Sequence, residues 1–131
     1  NTLFRPHIEI VNTLSRKQEV IHDHTTNLLW QQGGSQYPVS WQAGLHYVEK
    51  LNTAAFGGLD EWRLPTVNEL LSLFGTLTQR GTSSGFDHEK NRIWSCDRHG
   101  HHERWHVNFD MGYAGNQDIN CFNYIRAVCT R

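Results

Sequence analysis

Asp60-Glu61-Trp62-Arg63-Leu64-Pro65-Thr66-Val67-Asn68-Glu69-Leu70 is the stretch on which the fold turns. Thr66 and Glu69 stand in the S/T-x-x-E spacing of a capping box, and Leu70, Leu71, Leu73 and Phe74 supply the apolar run behind it. Pro65 has no amide hydrogen and biases Leu64 towards extended backbone. The chain must therefore arrive straight and turn into a helix at Thr66. Glu69 reads as the cap, Arg63 as a partner for Asp60 or Glu69, and Trp62 as a core anchor alongside Trp30 and Trp94. No nucleophile with a partner base and no metal-ligand spacing occurs in the block. It specifies architecture, not chemistry.

Upstream, residues 7–12 alternate as a first strand and residues 19–22 as a second, and residues 23–27 form a turn. Leu28-Leu29-Trp30-Gln31 reads as a short buried strand. After the Gly33-Gly34-Ser35 break, Ser40 can cap a helix whose Trp41, Leu45, Val48 and Leu51 recur at helical intervals, and Gly57-Gly58 closes that segment. Downstream, residues 80–91 read as an exposed loop and residues 93–96 as a strand. Residues 104–110 alternate strictly, with Trp105, Val107 and Phe109 on an expected dry face and Arg104, His106, Asn108 and Asp110 on a wet one. Gly112 and Gly115 mark a turn, and residues 124–130 a last strand. The order is strands, two helices, then strands, without a βαβ repeat. A parallel nucleotide-binding sheet is not expected; an α+β fold is.

The 131 residues suit one domain with one core, anchored by five tryptophans, six phenylalanines and four tyrosines. A net charge of -1 argues against general nucleic-acid binding, which normally shows a broad basic face. No apolar run approaches a membrane span, so membrane insertion is not expected. Asn1 is not a natural start, and any export signal is expected outside this stretch. Three cysteines leave at least one thiol unpaired. Cys121 and Cys129 on one strand would lie roughly 25 Å apart at about 3.3 Å per residue, which leaves Cys96–Cys121, Cys96–Cys129 or three thiols.

Residues 20–30 (Val20-Ile21-His22-Asp23 through Leu29-Trp30), Trp41, the Trp62-Arg63-Leu64-Pro65-Thr66 block with Glu69-Leu70, Trp94-Ser95 and Tyr124-Ile125-Arg126-Ala127-Val128 together resemble one known domain. It is the Lcl C-terminal domain family, named after a Legionella collagen-like adhesin and a branch of the C-type-lectin-like superfamily. The resemblance covers about residues 18–131. It implies an α+β, C-type-lectin-like fold with two helices, a small twisted antiparallel sheet and long polar loops. It also implies placement outside the bacterial cell or on its surface, and adhesin-like binding of polyanionic glycans such as glycosaminoglycans. Asn27 stands where relatives carry a glycine, and Asn tolerates the left-handed backbone such a turn needs. Tyr47 or Val48, and Ala127, stand where many relatives carry cysteines. The sugar-binding motifs of calcium-dependent lectins are absent, so no cofactor or metal is expected.

Candidate ligand contacts fall between His99 and Asn123. Arg98 and Arg104 supply bidentate donors for sulfate or carboxylate, and His99, His101 and His102 stand beside them as further polar contacts. The same histidines, with His106, Asp97 and Glu103, carry metal-ligand chemistry, although a solvated hairpin reads more simply. Asp110, Tyr113, Asn116, Asp118, Asn120 and Asn123 extend the polar zone as a loop-built recognition surface. The expected partner is a glycan or protein on a host or cell surface, met by a homo-oligomer such as a trimer. Two other readings stand beside this one: a variable receptor of the diversity-generating-retroelement type, and a structural or oligomerising module. Enzymes of related fold need a cysteine pair that no motif here supplies, so no catalytic residue is assigned.

Overall fold

The computed structural model describes residues 8–15, 18–80 and 90–130, with side chains from residue 20 to 78 and from 90 to 130. Seven strands and two α-helices follow in the order β1 (Ile8–Ser15), β2 (Gln18–Asp23), β3 (Leu28–Gln31), α1 (Trp41–Thr53), α2 (Val67–Arg80), β4 (Arg92–His99), β5 (Glu103–Asn108), β6 (Tyr113–Asp118) and β7 (Val128–Thr130). The α+β fold and the two helices are as expected. The single small sheet is not: the strands form a four-stranded sheet, β1-β2-β3-β7, and a three-stranded one, β4-β5-β6, both antiparallel.

The four-stranded sheet is covered on both sides, and this explains why all four residues of β3 are buried. Ile21, Leu28, Trp30 and Val128 join Leu70 and Leu73 of α2 with Ile93 and Val107 in one core cluster. Val20, Leu29, Ala127 and Cys129 join Val48 of α1 with Trp62, Leu64, Trp94 and Ile125 in a second. Successive residues of a strand thus feed opposite cores. The turn before β3 uses Asn27 at φ 62°, the left-handed geometry expected of it, with its amide donating to Asp23 O at 2.8 Å.

The capping box forms as read. Thr66 N–H donates to Glu69 Oε1 (2.9 Å) and Glu69 N–H to Thr66 Oγ1 (3.1 Å). Of the two partners considered for Arg63, Glu69 is the one: the guanidinium donates twice to its carboxylate, each at 2.8 Å, and once to Thr130 Oγ1 at 3.1 Å. Arg63 backbone also exchanges hydrogen bonds with Val128, both 2.9 Å. One residue therefore ties the start of α2 to the edge strand β7. Asn52 of α1 clamps Trp62 from the other side, accepting its N–H at 2.7 Å and donating to its carbonyl at 3.0 Å.

Several local expectations need correction. Residues 113–118 form strand β6 with Gly115 inside it, so only Gly112 (φ 78°) serves the turn. At Gly112 a Cβ would meet the Phe74 ring at 2.4 Å, which requires glycine there. The last strand is β7 alone. Residues 123–127 bond irregularly to residues 31–39, as in Ser35 N–H to Ile125 O (2.7 Å) and Ala127 N–H to Gln31 Oε1 (3.1 Å), and no regular ladder runs there. Arg126 is buried and donates to the carbonyls of Gln31 (2.9 Å) and Gln32. Cys96, Cys121 and Cys129 are free thiols. The exposed loop expected over residues 80–91 falls mostly outside the described residues, as does residue 7 of the first strand.

The wet and dry faces of β5 are not as the alternation suggested. Arg104, His106 and Asn108 are buried together with Val107, whereas Trp105 and Phe109 are half-buried. The polar face is dry because its groups find internal company. Arg104 stacks 4.2 Å over the Trp41 ring, His106 meets Trp94 edge-on at 6.5 Å, and Asn108 Oδ1 accepts from Asp110 and Met111 N–H. Binary alternation assumes that polar means solvated; here the polar side chains turn inward and pack on rings or accept backbone bonds.

Candidate functional site

The three-stranded sheet has two ends, and the candidate residues divide between them. At one end the β4–β5 turn carries His99, His101 and His102, all exposed, beside exposed Arg98. Ile119 N–H donates to His102 O at 2.9 Å, which brings the exposed Asp118 and Asn120 alongside. At the other end the β5–β6 turn carries exposed Asp110 and Tyr113. The register pairs Glu103 with Asp118 and Asn108 with Tyr113, so the two groups lie roughly 17 Å apart along β5 at about 3.4 Å per residue. Exposed Asn116 sits between them, opposite Trp105.

Two of the candidates are interior. Arg104 is 6% exposed and Asn123 1%. Arg104 Nη1 donates to Glu103 O at 2.9 Å, and its Nε is buried without a partner among the described residues. Burial lowers its pKa from the ordinary guanidinium value, and Arg98 adds to the shift. Arg98 is its direct cross-strand partner, a like-charge pairing that stands next to the Glu103–Asp118 rung. Asn123 donates to Gln117 Oε1 at 2.6 Å and braces β6.

The hairpin histidines do not form a metal cradle. His99 Nδ1 lies 2.9 Å from Glu103 Oε1, and the His101 and His102 rings stand 6.4 Å apart. Among the described residues no three His, Cys, Asp or Glu side chains converge on one point. His106 is separate from them, on the buried face. Desolvation, helped by the Arg92 charge, pushes its pKa below the usual imidazole value. Burial and neighbouring Asp97 raise the Cys96 thiol, which keeps it protonated and a weak nucleophile.

A bulge in β4 between Trp94 and Arg98 builds a feature that sequence reading missed. Cys96 N–H donates to Pro65 O (2.9 Å), Ser95 Oγ to Trp105 O (2.7 Å), and Val67 N–H to Asp97 Oδ2 (2.7 Å). Asp97 thus caps α2 together with Thr66 and Glu69, and acidic groups at a helix N-terminus are favourable. The bulge leaves an open cleft of about 550 Å³ between α2 and the sheet, lined by Thr66, Val67, Asn68, Asp97, Trp105 and Ala114. The cleft left no signal in the sequence beyond Trp105 itself, an aromatic whose cross-strand partner is Asn116.

Among the described residues, no helix is long and apolar enough to cross a membrane. No curated protein matches the chain. Residues 19–129 do match a family pattern, and that span takes in the capped helix, the Arg63 clamp and all three strands of the candidate site. The chain belongs to the Lcl C-terminal domain family.

Proposed function

We propose that this domain is a non-enzymatic binding module, displayed outside a bacterial cell or on its surface, that takes polyanionic glycans at the β4–β5 hairpin. Family membership supports a surface binding role. The observation that carries the ligand class is the Arg98–Arg104 cross-strand pair with His99, His101 and His102 exposed on the adjoining turn. Buried Arg104 contributes field, and exposed Arg98 contributes contact. A sulfate or carboxylate meeting the Arg98 fork gains charge-assisted hydrogen bonds, and salt screens the attraction within about 10 Å at 0.1 M. Affinity per domain is small, so avidity on an oligomer or a clustered surface supplies useful strength. Solution mass tests that arrangement; a trimer fits it.

The test is retention on a sulfated glycan matrix across a salt gradient, wild type against Arg98→Ala. Retention that falls with salt and drops several-fold in the variant is expected. Equal retention of both proteins removes the hairpin as the site. A protein ligand is the second reading, favoured by Met111 (73% exposed), Tyr113 and Phe122, which present large apolar surface. Retention by an immobilised host protein that is lost in a Met111→Ser/Tyr113→Ser double variant and kept in Arg98→Ala would favour it.

A further inference from the structure

The cleft beside α2 differs in chemistry from the hairpin. Its lining contains no Lys or Arg, and its charged side chain is the carboxylate of Asp97. The positive end of α2, which might have drawn an anion, is already occupied: Val67 N–H goes to Asp97 and Glu69 N–H to Thr66. A sulfated or phosphorylated group would face a fixed negative charge here without a counter-ion. What the cleft offers is an indole and a mixed set of small polar groups. Trp105 is half-buried on the wall and braced edge-on by His99, with ring centroids 5.4 Å apart and planes at 88°. Asp97 spends Oδ2 on Val67 and keeps Oδ1 as an acceptor. Thr66 accepts with its oxygen and keeps its hydroxyl proton to donate. Asn68 lines the same space, and Asn116 is the cross-strand partner of Trp105.

From this geometry we infer that the cleft is a subsite for a neutral pyranose ring, stacked on Trp105 with its hydroxyls bonded by Asp97, Thr66, Asn68 and Asn116. The axial C–H face of a pyranose is apolar and fits an indole, while its rim of hydroxyls is both donor and acceptor. A volume of about 550 Å³ accommodates one or two such rings and lies within the usual range of small-ligand sites. Of the five tryptophans, Trp30, Trp62 and Trp94 are buried and Trp41 lies under the Arg104 guanidinium, which leaves Trp105 as the platform. The site does not depend on the polyanion reading of the hairpin, although one glycan chain could span both.

The test is an NMR titration of the ¹⁵N-labelled domain, following indole N–H and backbone amide resonances, with two probes: a neutral chito-oligosaccharide tetramer and a fully sulfated heparin tetramer. The expected result is a saturable shift of the Trp105 indole by the neutral probe at millimolar concentration. Affinity should fall at least tenfold in Trp105→Ala and persist in Arg98→Ala. Trp105→Phe should keep part of the affinity, and Asn116→Ala, on the surface, should weaken binding while leaving the fold intact. A Trp105 resonance unmoved by the neutral probe, or a neutral-probe affinity unchanged in both Trp105→Phe and Asn116→Ala, overturns the inference. Failure of the heparin tetramer alone, with the neutral probe still bound, would instead count against the hairpin reading and leave the cleft supported.

Discussion

The two sheets of this domain solve different problems with similar material. The four-stranded sheet lies between two apolar clusters and places Trp30 at 0% exposure. The three-stranded sheet buries Ile93 and Val107 against α2 but leaves Trp105 half-open beside a cleft. One sheet buries its tryptophan outright, and the other buries Trp94 but leaves Trp105 half-exposed. On the proposed function, β4–β6 combine both tasks: Ile93, Trp94 and Val107 belong to the core clusters, and the exposed hairpin and Trp105 are left for contact.

The sharpest way to break that contrast is to truncate the two tryptophans. Trp30→Ala should cost about 3–5 kcal/mol, and Trp105→Ala no more than about 1.5 kcal/mol, read by denaturant unfolding. Equal costs would mean that Trp105 is a core residue as well. A smaller effect is expected at the junction of the two halves. Glu69→Gln removes the charge from the Arg63 clamp while keeping the cap's shape. It should cost about 1 kcal/mol, a figure discounted because the Arg63 side chain is 39% exposed.

Arg104→Ala should destabilise by a similar or slightly smaller amount, about 1 kcal/mol, through loss of the Trp41 stack and the Glu103 carbonyl bond. Arg98→Ala should leave the melting temperature within a degree or two. That pair of outcomes would separate the structural arginine from the contact arginine.

The smallest effect is a pH dependence. The folded state holds His106 below its unfolded pKa of about 6.5, so the unfolded chain binds the proton first as pH falls. Its contribution is complete above that pH and is lost between the unfolded and the folded pKa. A shallow fall in stability below pH 6.5 should follow, flattened in His106→Gln. Glu69 acts in the same direction at lower pH. The hydrogen bonds from Arg63 depress its folded pKa, and the capped helix loses that support as pH drops below about 4.5 towards the folded value.

The sequence disclosed the parts of the fold that local physics dictates. Thr66 and Glu69 sit three residues apart and cap by spacing; Asn27 can bear a positive φ; Leu28-Leu29-Trp30 is apolar without alternation because both sides of its strand are covered. What could not be read depends on long-range company. Arg104 looks like a surface cation until Trp41, more than sixty residues earlier, is placed over it. Asn123 looks like loop polarity until Gln117 accepts its amide. The Trp105 cleft depends on a bulge whose three anchoring bonds join residues 65–67, 95–97 and 105, and no window of sequence contains all of them. The hairpin histidines were legible as a cluster, but their division from Asp110 and Tyr113 follows only from strand register.

Strand β6 has a further consequence for how such a domain can change over generations. Its inward positions are fixed by neighbours: a side chain at Gly115 would meet the His106 ring at 3.1 Å, and Gln117 is held by Asn123. Asn116 on the opposite face, Tyr113 at the start of the strand and nearby Asn120 are exposed. Substitutions there meet little resistance from folding, whereas those one residue away are punished. Mutation is therefore channelled onto exposed positions scattered among braced ones, and the frame tolerates change there at low risk.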